Sequence, residues 1–554
     1  MAKKQAPDAP SPAPAISSVW LVTREYEGLA GAGGVKDFSR QLAGALARTG
    51  RRVRVVLPLY GFMQPEKLGF APLDHAFDVD MPYVGVERRE LVRIWERQER
   101  PAGGPERGQG SLAIYLLDAQ RYREKGGVYT YTAAEEAANP LLHKQGAGHY
   151  DYFAMNVLLQ KGALGLMIRL GERPEIIHCQ DGHTAILPAL MREIEGYRHH
   201  FAASGAVVTI HNAGRGYHQE VDDLPFAQVI TGLPKRLITA NLLDGGFDPF
   251  LAASSYAPLN TVSENYAREL QETNDDLLTG WLGHHLAARG VKLAGITNGI
   301  EPEAYDPRRP KPLGLAAGFD PAKGEMAGKA KCRRALVRDI AGGAITGVTQ
   351  EGALDPEGRG PLFTFIGRFT EQKGVDKLED ALASLLPHDP DFQVLIQGSG
   401  SREHEEALAR LATAEPYRGR VCILRGYDPL LANQVFAAGD FLLVPSRYEP
   451  CGLTDFIAQL FGNLPIVHHV GGLVKVIDRK TGFAYKEHSS AALMGAMQSA
   501  LRLYREQPAT IAAMQREAVR VIHEQYTWET VVKQYLALYR EALTFQGPRI
   551  KAGP

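Results

Sequence analysis

Cysteine is scarce in this chain. Cys179, Cys332, Cys422 and Cys451 are scattered over 554 residues with no Cys-x-x-Cys spacing. That argues against a zinc site and a disulfide framework, and fits a reducing cytoplasm. Net charge is also nearly absent, at -1. Nucleic acid is therefore not expected as the main partner. No apolar run reaches the roughly 20 residues that cross a bilayer, so no membrane partner is expected either. The N-terminus has no apolar signal core. Lys3 and Lys4 lead into an Ala/Pro/Ser tract, and residues 1–17 read as a flexible tail. His178, His183 and His211 match no metal-binding spacing, so no metal and no cofactor are expected.

The chain is too long for one ordinary core, and two α/β domains are expected. Val19–Thr23 reads as a strand, Glu25–Gly34 as a glycine-rich turn, Asp37–Leu46 as an amphipathic helix and Val53–Pro58 as a second strand. This is the opening of a doubly wound sheet. The turn, with Gly33 and Gly34, is able to cradle a diphosphate. It is not a full G-x-G-x-x-G pattern, and no acid closes the second strand, which argues against NAD. Gln98–Ser111, rich in Gly, Pro and Arg, reads as a mobile hairpin or loop. Further strands end in Gln180-Asp181-Gly182-His183 and in His211-Asn212. Polar residues at the carboxyl ends of parallel strands mark a ligand edge.

A composition shift follows Ile296, where a Pro-rich exit begins after Asn298-Gly299-Ile300. This places the first Rossmann-like domain at 18–296 and the second at 297–526, with a closing helix at 527–546. Residues 341–360 read as a loop. In the second domain Arg368 and Lys373 stand just past the strand 361–368. A planar guanidinium and a compact ammonium together neutralise a diphosphate. The strand 440–444 runs into Pro445-Ser446-Arg447-Tyr448-Glu449-Pro450-Cys451-Gly452-Leu453-Thr454 and then a helix. Glu449 is a carboxylate on a strand-to-helix turn, beside backbone N–H groups suited to phosphate or sugar oxygens. Tyr427, past the strand from Cys422, is counted with the donor-binding positions.

This ordered set resembles the bacterial glycogen synthase and plant starch synthase family. The matching stretches are Pro445–Thr454, Gly367-Arg368 with Gln372-Lys373-Gly374, Thr261-Val262-Ser263, Asn298-Gly299-Ile300, His211-Asn212 and Gly471-Gly472-Leu473. The resemblance implies a retaining GT-B glucosyltransferase with two Rossmann-like domains facing a cleft. It implies glucose transfer from ADP-glucose to the non-reducing end of an α-1,4-glucan. It assigns the diphosphate to Arg368 and Lys373, the reacting sugar to Glu449, and glucose contacts to His211 and Asn298. Cys451, Gly452, Leu453 and Thr454 line the donor, and Asp181 and His183 are candidate sugar contacts. It also returns the last helix to the first domain.

The chain departs from the family pattern in four places. Gly31 stands where Lys opens the family's glycine turn, with Arg24 and Lys36 the nearest cations at other spacings. Gly182 replaces a Trp, Ala213–Gly216 alters the stretch after His211-Asn212, and Asp455 replaces a Gln. Two alternatives remain open at this point: a related GT-B transferase with another donor or acceptor, and a weakly active glucan-binding protein.

Overall fold

A computed structural model describes residues 16–100 and 110–548. Most of the expected tail and the middle of the 98–111 segment lie outside the described residues. Ile16 is buried, and the Ser17 hydroxyl donates to Glu175. The chain forms two compact units. The first takes residues up to Thr261, Leu270–Ile296 and the chain from Val532; the second takes Val262–Glu269 and Thr297–Val531.

The first unit is built on a nine-stranded sheet. Its strands are β1 (Ser18–Val22), β2 (Arg52–Pro58), β3 (Ala71–Asp80), β4 (Arg89–Glu99), β5 (Ser111–Asp118), β6 (Ile176–Gln180), β7 (Gly205–Ile210), β10 (Leu259–Thr261) and β11 (Ala294–Gly295). A separate ribbon pairs β8 (Leu242–Leu243) with β9 (Gly246–Phe247). The spatial order is β11-β10-β7-β6-β1-β2-β5-β4-β3. All pairs from β11 to β5 are parallel, and β5-β4-β3 continue antiparallel. Every residue of β1, β6 and β7 is buried, which explains the apolar runs of β1 and β7, whereas β6 also buries His178 and Gln180. β3 is mostly exposed and carries no such run. The 98–111 segment joins β4 to β5, and its ends lie in those strands.

The helix Trp528–Thr544 ends in the first unit. Its Tyr539 reaches His178 on β6. The Thr209 hydroxyl donates to Asn260 at 2.8 Å, so it accepts from His178 Nε2 at 2.7 Å. His178 Nδ1 is then left to accept from the Tyr539 hydroxyl at 2.9 Å. Burial drives the His178 pKa down to about 3, so the ring is neutral and this relay is structural.

The second unit is built on a seven-stranded sheet. Its strands are β12 (Thr349–Gly352), β13 (Leu362–Ile366), β14 (Gln393–Gly398), β15 (Val421–Arg425), β16 (Phe441–Val444), β17 (Leu464–His468) and β18 (Phe483–Tyr485). The order is β12-β15-β14-β13-β16-β17-β18, parallel except for β12. β12 corrects the expected loop over 341–360. It pairs antiparallel with β15 through Thr-Gln-Glu-Gly, four residues with no apolar alternation to announce a strand. One face of the sheet packs Phe363, Phe441, Leu443 and Ile466 against Leu378, Leu382, Leu493 and Met497. Burying side chains of this size stabilises by about 2 kcal/mol each.

Candidate active site

In the second unit the strand order reverses between β13 and β16. A ligand crevice forms at the carboxyl ends of strands at such a switch point. Arg368 and Lys373 follow β13, and Glu449 follows β16, so topology alone brings these loops together. Lys373 Nζ lies 2.5 Å from Glu449 Oε2, and the Ser446 hydroxyl donates to the same oxygen at 3.0 Å. Burial by itself would raise the Glu449 carboxyl. The Lys373 ammonium, the Ser446 hydroxyl and the Lys475 charge outweigh burial and hold it below the usual range. Glu449 is therefore ionised at neutral pH. Arg368 is exposed, with its guanidinium on Gln372 at 3.3 Å.

Close backbone contacts fix both loops. A Cβ at Gly374 would stand 1.9 Å from the Pro445 carbonyl oxygen. Gly374 also has φ +68°, so glycine is needed there twice over. Arg447 N donates to Gln372 O at 2.9 Å. Behind the turn, Cβ atoms at Gly471 and Gly472 would come within 2.0 and 2.1 Å of the Glu449 and Cys451 carbonyl oxygens. Gly471-Gly472 thus serves as the floor of the turn. The segment 262–269 braces it as well. The Ser263 hydroxyl donates to Pro450 O at 2.7 Å, and the Glu269 carboxylate accepts from Gly471 N at 2.9 and 3.0 Å.

Cys451 is buried, and its thiol is pushed up to about 11, by burial first. The Asn298 backbone N–H donates to its sulfur. Asn298 itself is buried, and its Oδ1 has no partner among the described residues. That acceptor is open to a ligand. Gly452, Leu453 and Thr454 carry the turn into the helix Thr454–Leu460. Tyr427 stands past the end of β15, two strands from β13, with its side chain 68% exposed.

The first unit's ligand edge is different in character. Ala32 N and Gly33 N of the glycine turn donate to Glu25 Oε2 at 2.7 and 3.0 Å. Glu25 also accepts from the Tyr129 hydroxyl. Gly34 precedes the helix Val35–Arg48 as its cap. Arg24 is buried on Tyr60, Asn156 and the Val128 carbonyl, so it does not stand in for the missing lysine. The stem of Lys36 lies over Gly31, 2.4 Å from where a Cβ there would be. Its Nζ pairs with Asp37 at 2.9 Å.

His211 bonds Gln180 at 2.8 Å and lies edge-on to Phe38 at 4.5 Å. Burial drives its pKa down to about 3. His183 stacks on Tyr129 at 4.9 Å and is held well below its ordinary value by burial and by Arg24. Asp181, at φ +58°, accepts from His211 N at 2.6 Å. Burial pushes its carboxyl up to about 8, against the pull of the His211 and Asn212 N–H groups. Asp181 thus holds the β7 turn in place. Gly182 has no room for a side chain, because a Cβ would sit 2.2 Å from the His218 carbonyl oxygen. The space that a side chain at Gly182 would need is filled by the Tyr217 and His218 carbonyls, just past the altered Ala213–Gly216 stretch.

The sequence reading passed over Lys475. It is buried beneath Cys451 and pairs with Asp455 at 3.1 Å. The signal was Asp455 itself. A carboxylate in place of an amide beside an apolar helix face calls for a cation, and Lys475 follows Gly471-Gly472-Leu473 closely in sequence.

The chain is similar to known proteins over most of its length. The starch synthase catalytic domain family matches residues 18–286, and glycosyl transferases group 1 matches 350–517. A glycogen synthase of Anaeromyxobacter dehalogenans strain 2CP-C is 32% identical, over 92% of this chain and 96% of its own. One from Geotalea daltonii is 30% identical, over 96% and 99%. The catalytic domain of starch synthase IV from Arabidopsis thaliana, bound to ADP and acarbose, superposes with a TM-score of 0.75. It is 23% identical, over 96% of this chain and all of that one. The two units therefore have the GT-B fold.

Proposed function

The chain belongs to the glycogen synthase and starch synthase family of glycosyltransferases, and from that membership we propose that it transfers glucose from ADP-glucose to the non-reducing end of an α-1,4-glucan, retaining the α linkage. The bond from glucose C1 to the diphosphate breaks, and C1 joins an acceptor hydroxyl oxygen. That hydroxyl's proton leaves with ADP. Negative charge grows on the diphosphate and positive charge on C1.

One observation carries the reading: an ionised Glu449 sits 2.5 Å from Lys373 at the β13/β16 switch point. An ammonium has three donors. One holds Glu449, and two remain for the diphosphate. Arg368 adds a forked guanidinium, and its exposed position suits an arriving ligand. Charge held where it develops lowers the barrier. Glu449 faces the sugar and stabilises C1. The open Asn298 Oδ1 accepts from a glucose hydroxyl, and His211, neutral at all working pH, is suited to bonding another. Tyr427 offers a flat face to adenine. The four buried, unlinked thiols suit a reducing cytoplasm.

Glycogen incubated with labelled ADP-glucose, UDP-glucose and GDP-glucose tests this. Incorporation from ADP-glucose above the other two is expected. No incorporation from any donor by a folded sample would reject the proposal.

A further inference from the structure

Lys475 takes no part in the reaction drawn above, yet its surroundings are those of a built device. Its side chain is 4% exposed. Nζ donates to the carbonyls of Cys451 at 2.5 Å, Gly452 at 2.8 Å and Gly472 at 3.1 Å. It pairs with the fully buried Asp455 carboxylate and lies 4.5 Å from the centre of the Phe456 ring. Enclosing an ammonium is costly unless every donor is used and a counter-charge is present. All three donors are used, on carbonyls of the Glu449 turn and its floor, and the Asp455 carboxyl, which burial raises against the pull of Lys475, stands 3.1 Å away.

A trans peptide points its C=O and its N–H in opposite directions. Lys475 draws the Cys451 and Gly452 carbonyls inward. The N–H groups of Gly452 and Leu453 must therefore face outward, and neither has a partner among the described residues. Gly452, at φ +76°, makes the close approach possible. A Cβ there would lie 2.9 Å from Asp455 Oδ1 and 3.1 Å from Lys475 Nζ.

We propose that Lys475 is a positioning residue for the transfer: paired with Asp455, it locks the Cys451–Leu453 peptides so that two outward N–H groups form part of the diphosphate seat. This rests on the reading that a sugar nucleotide binds at the turn. It gives Asp455 a purpose, as the counter-charge that lets a lysine stand under the loop. The same charge helps to keep Glu449 ionised.

Two variants test it. Lys475→Met leaves Asp455 buried without a partner and should lower the unfolding midpoint. The double variant D455N/K475M removes both charges at similar volume and should recover most of that loss. ADP is the probe, titrated by calorimetry, with kcat measured alongside. Both variants should bind ADP about a hundredfold more weakly, the scale on which displaced contacts act. In Lys475→Met the acid limb of kcat/KM should also move to higher pH. A recovered midpoint without recovered ADP binding is the expected result. A folded double variant that binds ADP as the wild type does would overturn the assignment. A wild-type protein that neither binds ADP nor transfers glucose would instead overturn the underlying reading, so the two failures are distinct.

Discussion

The ligand edges of the two units solve different electrostatic problems. In the first unit, burial disfavours charge on the histidines and on Asp181, and Arg24 is enclosed on Tyr60, Asn156 and the Val128 carbonyl. His178, His183 and His211 are held uncharged, Asp181 is pushed up to about 8, and the glycine-turn donors at Ala32 and Gly33 rest on Glu25. In the second unit, charge is kept and aimed. Arg368 is exposed, Glu449 is held ionised beside Lys373, and the Asn298 acceptor is open. A site that must absorb a leaving diphosphate needs charges that remain ionised and unscreened. A site that only reads hydroxyls and shape is better served by neutral donors, which are cheaper to bury. Three of the four departures from the family pattern lie in the first unit. The fourth, Asp455, is matched by Lys475.

This contrast can be broken from either side. The largest effect is expected for Glu449→Gln: turnover should fall about a thousandfold while ADP-glucose affinity changes little, read from kcat and an equilibrium titration. Equal losses in both would move Glu449 from the reacting sugar to plain binding. Arg368→Ala should lower both affinity and turnover, by about tenfold to a hundredfold, because its charge acts on the bound donor as well as the transition state. In the first unit, Gly182→Ala should cost stability more than chemistry, about 2 kcal/mol by denaturant unfolding, since its Cβ meets the His218 carbonyl. A wild-type midpoint there would refute the close fit of Gly182 against the Tyr217 and His218 carbonyls.

The smallest effects concern pH. Asp181 is an acid whose folded pKa, about 8, lies above its unfolded value. The folded chain thus binds the extra proton, and stability falls as pH rises from the ordinary aspartate range through about 8. Asp181→Asn keeps an acceptor for the backbone, and its thermal midpoint should fall less than the wild type's between about pH 6 and about pH 9. Glu449 has the opposite sign. Its folded pKa is depressed, so its contribution is present above the usual glutamate value and lost as pH falls through the folded one.

Much of this was legible in the sequence because parallel strands buried on both faces read as unbroken apolar runs. Val19–Val22, Val207–Ile210 and Phe441–Val444 announce themselves in that way. The polar residues that follow each of them mark the ligand edge. The exposed strand Ala71–Asp80 and the four-residue edge strand Thr349–Gly352 had no such run and were silent. The contact between Lys373 and Glu449 followed from the strand order, which sequence spacing suggests but does not contain. Lys475 was hidden for a different reason. Its role lies in carbonyls from two separate loops, and no local pattern records which backbone a lysine will reach.

A crystal structure of the wild-type protein with ADP tests the central claim most directly. The account predicts the diphosphate on Arg368, Lys373 and the N–H groups of Gly452 and Leu453, with Glu25 still seated on Ala32 and Gly33. A diphosphate found in the Ala32–Gly33 turn, with Glu25 displaced and Arg368 and Lys373 untouched, would contradict it.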